Sequence, residues 1–343
     1  MKKVLLVTLA DKNYLEYAKQ VFASAYFSAG WKGDYMLLAY NCTQKDTEWF
    51  RKKGILVKQF QPFFRQPVAM TPLSYMTRLY LFTLEFKKWS HVIYVDADII
   101  IRASLDNLTQ IKGFASVDDI LHGKLKSELI GQKEARYNRG ISKELYKQLR
   151  KSLSKKYDLE KNKFCAGFFA FNSDIINENS FKDIIKIIKK YHWIATNADQ
   201  FALNVYFNRK QESLPSVYDI YILNGWNQWN LKPDKIDGII LHFLGQDKPW
   251  LENNIFYQEW ENNYLKANRI NLKKIPEGKK WSKNKIQSFT HFLQKRETRL
   301  NFKAIWYFYR LDQVYFTILH YVERTFPLFF KILKTTKARF YSK

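Results

Sequence analysis

His91-Val92-Ile93-Tyr94-Val95-Asp96-Ala97-Asp98-Ile99-Ile100-Ile101-Arg102 decides how the rest of this chain is read. Val92–Val95 is an unbroken run of β-branched and aromatic residues, the pattern of a strand buried on both faces. Asp96 and Asp98 follow one residue apart, so their side chains share a direction wherever the backbone is extended. Open α/β sheets take their ligands outside the carboxyl edge, which is where this pair falls. Two carboxylates at such range repel each other, and a divalent cation relieves the repulsion. Taken alone, Asp-Ala-Asp reads as a solvated loop; the apolar runs on both sides shift the balance towards a metal site. Hard oxygen donors of this kind suit Mg²⁺ or Mn²⁺, ions that complete their shells with phosphate oxygens. A third ligand, phosphate-binding cations and a base-stacking residue are then required elsewhere in the chain.

Outward from that strand, β and α patterns alternate. Val4–Ala10 reads as a strand and Tyr14–Phe27 as a helix, with Leu15, Ala18, Val21, Phe22 and Ala25 at helical spacing. Residues 35–40 and 55–60 read as strands, 72–88 as one helix, and 113–117 and 164–172 as further strands. The order implies a doubly wound, mainly parallel sheet. Residues 118–163 are charged and helical in pattern, an excursion over the sheet edge. Residues 181–191 form an amphipathic helix, and 218–223 and 238–243 are late strands. The α/β pattern gives way near Pro276–Lys280, which divides a domain of residues 1–275 from a tail of 276–343.

Composition sets the outer bounds. With 343 residues, 46% hydrophobic, 12 Gly and 8 Pro, the chain has the means to bury a large core and is not disordered in character. Two cysteines give no disulfide framework, so the expectation is a reducing, cytoplasmic setting. The apolar start is cut short by Asp11-Lys12-Asn13, which reads as a first strand and not as a secretion signal. No apolar run reaches the roughly 18 residues that a membrane-spanning helix needs.

The net charge is +25. Residues 280–343 hold 14 Lys and Arg against three acidic residues, and 16 of their side chains are aromatic. Leu311, Val314, Tyr315, Ile318, Leu319 and Val322 fall on one helical face, with basic residues nearby. That is the pattern of a segment lying on an anionic membrane surface, with a helix packed on the catalytic domain as the alternative. Nucleic-acid binding also fits the charge. No nucleic-acid module is present, however, and the aromatics fall at core spacing, so no nucleic acid is expected.

The required partners do occur. Residues 242–250, His-Phe-Leu-Gly-Gln-Asp-Lys-Pro-Trp, resemble the His-x-x-Gly-x-x-Lys-Pro-Trp signature of glycosyltransferase family 8. That family includes bacterial lipopolysaccharide and lipooligosaccharide galactosyl- and glucosyltransferases, and glycogenin. Asp11-x-Asn13-Tyr14, Arg78, Ala166-Gly167 with Asn172, and Ala198-Asp199-Gln200 with Asn204 stand in the expected order, so the resemblance covers about residues 1–255.

The resemblance implies the GT-A fold and retaining transfer of a hexose, galactose or glucose, from a UDP-sugar to a glycan or lipid-linked acceptor. It implies Mn²⁺ or Mg²⁺ held by Asp96, Asp98 and His242. For the nucleotide it implies Asp11, Asn13 and Tyr14, where Tyr14 stacks on uracil, together with Thr8 and Leu9. The diphosphate and sugar fall to Ala97, Ala166, Gly167, Gly245 and Lys248, and the reacting centre to Arg78, Asp199 and Gln200. An acceptor on a membrane would place the enzyme on the inner face of the cell membrane through 280–343. The departure is Cys165, where many members carry Asn or Ser. Asp118 and Asp119 are either acceptor contacts or two loop carboxylates. The remaining alternative is a chain of this fold that binds a sugar nucleotide without turning it over.

Overall fold

The computed structural model describes residues 3–296 apart from 70, 120–122, 224, 225, 228, 230 and 247. The strands in chain order are β1 (Val4–Asp11), β2 (Asp34–Tyr40), β3 (Leu56–Gln59), β4 (His91–Val95), β5 (Ile99–Ile101), β6 (Phe114–Val117), β7 (Phe168–Asn172), β8 (Gln211–Leu214), β9 (Ile220–Leu223), β10 (Trp226–Asn227) and β11 (Ile240–Leu244). The α-helices are α1 (Leu15–Phe27), α2 (Glu48–Lys52), α3 (Leu73–Met76), α4 (Gln132–Arg139), α5 (Lys143–Lys156), α6 (Ser180–Tyr191), α7 (Ala198–Tyr206) and α8 (Tyr257–Lys266).

Among the described residues, seven strands form one sheet in the order β3-β2-β1-β4-β7-β6-β8. Every pairing is parallel except the two made by β7, which runs against both β4 and β6. Its reversal follows from the excursion, which leaves β6 and enters β7 at the same, carboxyl edge of the sheet. Alternation along the central strands feeds two cores. On β4, Ile93 and Val95 face one layer, with α1 and the aromatic Trp260 of α8. Val92 and Tyr94 face the other, with α6 and α7.

A second sheet, β10-β9-β11-β5, was not foreseen as a unit. Ile99-Ile100-Ile101 is wholly buried, so no polar alternation marks it as a separate strand. The expected helix over 72–88 is broken: α3 passes into a 3₁₀ turn, Thr77–Phe82, and a second, Leu84–Lys88. Leu79, Leu81, Phe82 and Phe86 are all buried, more of the circumference than one amphipathic stripe can bury, and Thr83 turns extended between the two turns.

The compact unit runs from Met1 to Leu293, past the boundary expected near 276–280. Trp281, Ile286 and Leu293 are buried in the core. Residues 276–279 press onto the end of α1, where Lys279 donates its N–H to Ser28 O at 2.8 Å. A Cβ on Gly278 would stand 2.0 Å from Ala29 O, so only glycine permits that approach. The apolar face at 311–322 lies outside the described residues. Among the described residues, no helix is long and apolar enough to cross a membrane.

Candidate functional site

Strand register assembles the site. β1 and β4 run in parallel with Thr8 opposite Val95, so the last residues of β1, Leu9–Asp11, and Asp96 just beyond β4 reach the same edge of the sheet. β7 opposes β4 with Phe168 at Val95, which sets Ala166 and Gly167 beside the carboxylates; Asp96 N–H donates to Gly167 O at 2.8 Å. β11 pairs with β5 so that His242 lies opposite Ile99, next to Asp98. Residues far apart in the chain thus share one cavity of about 370 Å³.

Asp96, Asp98 and His242 each turn a ligand atom to a common point, all within 4.8 Å of one another. Asp98 Oδ2 accepts from Lys248 Nζ at 2.5 Å. Its Oδ1 is buried without a hydrogen-bond partner among the described residues, and it faces His242 Nε2 at 3.5 Å. An unsatisfied carboxylate oxygen beside an imidazole nitrogen is costly unless a cation lies between them, and two carboxylates with one imidazole suit Mn²⁺ or Mg²⁺. Burial alone would raise the Asp98 carboxyl, but His242 and Lys248 overcome it and hold it well below the usual range. Burial alone would lower His242; Asp219 and Asp98 outweigh it and push its pKa up to about 10.

Behind His242 stands Asp219, fully buried, with Oδ1 3.0 Å from Nδ1. It fixes the ring so that Nε2 points at the carboxylates. Sequence reading missed Asp219, whose only signal was a carboxylate directly before an apolar strand. Gly167 closes the floor: a Cβ there would lie 2.4 Å from His242 Cε1 and 2.9 Å from Asp96 Oδ2.

Arg78 reaches the carboxylates from inside the protein. It is 3% exposed, with Nη1 3.2 Å from Asp96 Oδ1, Nε 3.2 Å from Asp199 Oδ2, and Nη1 donating to Ala166 O at 2.6 Å. Burial opposes its charge, but Asp96 and Asp199 more than offset that, so the guanidinium stays charged.

Asp199 and Gln200 lie in the first turn of α7, whose Ala198 N–H donates to Thr71 Oγ1 at 2.7 Å. Gln200 lines the cavity with both ends of its amide engaged. Oε1 accepts from Ala166 N–H at 3.1 Å, and Nε2 donates to Glu128 Oε1 at 2.7 Å. Glu128 is 1% exposed, pairs with Lys163, and accepts from Thr196 Oγ1 at 2.9 Å. The excursion therefore reaches the site through a buried ion pair, which no motif announced. Asp118 and Asp119 do not line the cavity: Asp119 is buried 3.5 Å from Lys163 Nζ, and Asp118 accepts from Asn162.

On the nucleotide side, Asp11 accepts from Asn13 N–H at 2.9 Å and caps the turn that presents Tyr14. Tyr14 is exposed into the cavity and edge-on to Trp250, which stacks on Tyr17 with centroids 3.7 Å apart. Leu9, Ala97, Gly245 and Lys248 complete the lining. Thr8 is fully buried inside β1, and Asn13 is exposed outside the lining. Ser74, Tyr75, Asn197 and Cys165 line it as well. Burial raises the pKa of the Cys165 thiol above its ordinary value, which disfavours the thiolate.

The sequence profile of Glycosyl transferase family 8 matches residues 6–254. The chain belongs to that family. Its match ends just before α8 and takes in Asp96, Asp98 and His242. WbbM, a bifunctional glycosyltransferase in its apo form, superposes with a TM-score of 0.56 at 19% identity, over 79% of this chain and 52% of that one. The chain thus spans about half the length of that neighbour. The galactosyltransferase LgtC, in complex with donor and acceptor sugar analogues, gives 0.54 at 16% identity over 80% and 98%. GlyE of Streptococcus pneumoniae TIGR4 gives 0.52 at 17% over 80% and 63%. At these identities the likeness establishes the GT-A fold. No curated protein matches the chain.

Proposed function

We propose that this family 8 glycosyltransferase moves a hexose, galactose or glucose, from a UDP-sugar to a glycan or lipid-linked acceptor with retention of configuration, using Mn²⁺ or Mg²⁺. The observation that carries the reading is the unsatisfied Asp98 Oδ1 facing His242 Nε2, with Asp96 beside them and Lys248 at the rim. A cation held by Asp96, Asp98 and His242 would neutralise charge gathering on the departing diphosphate. Lys248 adds a positive charge at the same place, and Gly245, with φ +74°, turns the chain there without a side chain in the way. Tyr14 offers its ring to the base.

At the reacting centre, Asp199 is neutralised by Arg78 and Gln200 is held by Ala166 and Glu128. An amide oxygen is a poor nucleophile, and Asp199 is committed to its ion pair. Both facts favour attack by the acceptor hydroxyl on the face from which UDP departs. Gln200 then steadies the sugar with its carbonyl dipole, a positioning and electrostatic role.

Two measurements test the reading. NMR of the product should give an α linkage from an α-linked donor, and a β linkage would refute retention. Asp96→Asn, Asp98→Asn and His242→Ala should each nearly abolish turnover while leaving the circular dichroism spectrum unchanged, and full turnover in excess EDTA would remove the cation from the mechanism. From sequence alone, residues 297–343 supply the basic, aromatic means of attachment to an anionic membrane surface.

A further inference from the structure

A second concavity, of about 620 Å³, lies between the segment 64–69, the end of α4 and the turn after α6. Its walls lead into the catalytic cavity. Along one wall the chain runs from Ala69 to Ser74, which lines that cavity; along the other it runs from Trp193 to Asn197, which also lines it. The shorter connection, four residues from Trp193 to Asn197, spans at most about 14 Å, so the two concavities are separated by no more than a few linked sugar rings. Thr71 Oγ1 and Ala198 N–H, 2.7 Å apart, tie the walls together between them.

The lining has the chemistry of a carbohydrate subsite. Trp193 is 39% exposed and offers a flat indole face, on which the C–H side of a sugar ring packs. Arg65 and Arg139 bring planar forks suited to carboxylate or phosphate substituents. Arg139 is fixed in place by donating to the carbonyl of His192, which ties α4 of the excursion to the opposite wall. The other wall is held in an uncommon conformation. Ala69 has φ +52°, locked by paired backbone hydrogen bonds between Val68 and Thr71, and such strain gathers at ligand-binding segments.

We propose that this groove binds the inner sugars of an elongated, anionic acceptor glycan whose terminal residue receives the hexose. The inference rests on the transferase reading above and adds where the acceptor runs and what charge it carries. Neither Trp193 nor Arg65 lines the donor cavity, so their removal separates acceptor binding from donor chemistry.

The test uses the full-length chain on an array of defined neutral and carboxylate- or phosphate-bearing oligosaccharides, first without donor. The wild type should bind anionic oligosaccharides and prefer longer ones. Trp193→Ala and Arg65→Ala should each weaken that binding about tenfold and raise the acceptor KM by the same factor. Both should leave kcat and UDP-sugar hydrolysis unchanged. Arg65→Lys should restore part of the loss if a point charge suffices and little if the fork is read. The proposal is overturned if the wild type binds no oligosaccharide, if length and charge make no difference, or if both variants bind as the wild type does. Absence of UDP-sugar hydrolysis in the wild type would instead refute the transferase reading, while array binding would still judge the groove.

Discussion

Gly167→Ala probes the cation site without touching a ligand. The added Cβ would lie 2.4 Å from His242 Cε1, where ordinary contact begins near 3.4 Å. The imidazole must therefore retreat by about 1 Å, several times the roughly 0.2 Å tolerance of a metal–ligand bond. It cannot move freely, because Nδ1 is anchored 3.0 Å from a fully buried Asp219. A misplacement of about 1 Å at a reacting centre costs on the order of 10²-fold, or about 2.7 kcal/mol, and overpacking adds about 1–3 kcal/mol of instability. Calorimetric Mn²⁺ titration should show affinity reduced about a hundredfold, with urea unfolding reporting the second cost separately. The assignment to a clash with His242 is checked by a double-mutant cycle: in a His242→Ala background the alanine should have a smaller effect, confined to its 2.9 Å approach to Asp96 Oδ2. A Gly167→Ala protein that binds Mn²⁺ as tightly as the wild type would refute both the contact and the role of His242 as a ligand.

Asp219→Asn should lower Mn²⁺ affinity by about 10–100-fold through loss of ring orientation, with an unchanged circular dichroism spectrum; unaltered affinity would show that Asp219 only fills space. Lys163→Ala removes the cation paired with the buried carboxylates of Glu128 and Asp119 and should cost about 3–5 kcal/mol in urea unfolding. Burial lowers the pKa of Lys163, but Glu128 and Asp119 raise it above the ordinary 10.5. Its contribution is therefore full below about 10.5 and lost as pH rises through the higher folded value, and the stability gap between wild type and variant should close on that alkaline side. Removing residues 297–343 should release the protein from anionic vesicles at low salt and leave donor hydrolysis intact. Retention of the truncated protein on the vesicles, or indifference of the full chain to them, would refute membrane attachment.

The catalytic end of the sheet was legible because β4 is buried on both faces, so Val92–Val95 carries no polar interruption until Asp96. His242 was legible through its spacing from Gly245 and Lys248, a pattern that strand register then explains. What supports those residues was not legible. Asp219, Glu128 and Lys163 are charged side chains whose partners come from other parts of the chain, and a charge reads as surface until its partner is known. Arg78 was legible only through the family pattern, because the two carboxylates that draw it inside come from other parts of the chain. The tail boundary was misplaced because Trp281, Ile286 and Leu293 belong to a segment whose basic composition hides its buried positions.

None of the strands that carry or flank Asp96, Asp98 and His242 pairs with the helical insertion of residues 123–163. Asp96, Asp98 and His242 therefore stand on the sheets, while the insertion meets the cavity where Glu128 accepts from Gln200. Transplanting the insertion from a relative of different specificity should keep sugar-nucleotide turnover, provided the graft preserves Glu128 and Lys163 opposite Gln200 and Asp119. Such a graft would alter the part of the groove that α4 supplies through Asn138 and Arg139, and would leave Asp96, Asp98 and His242 as they stand.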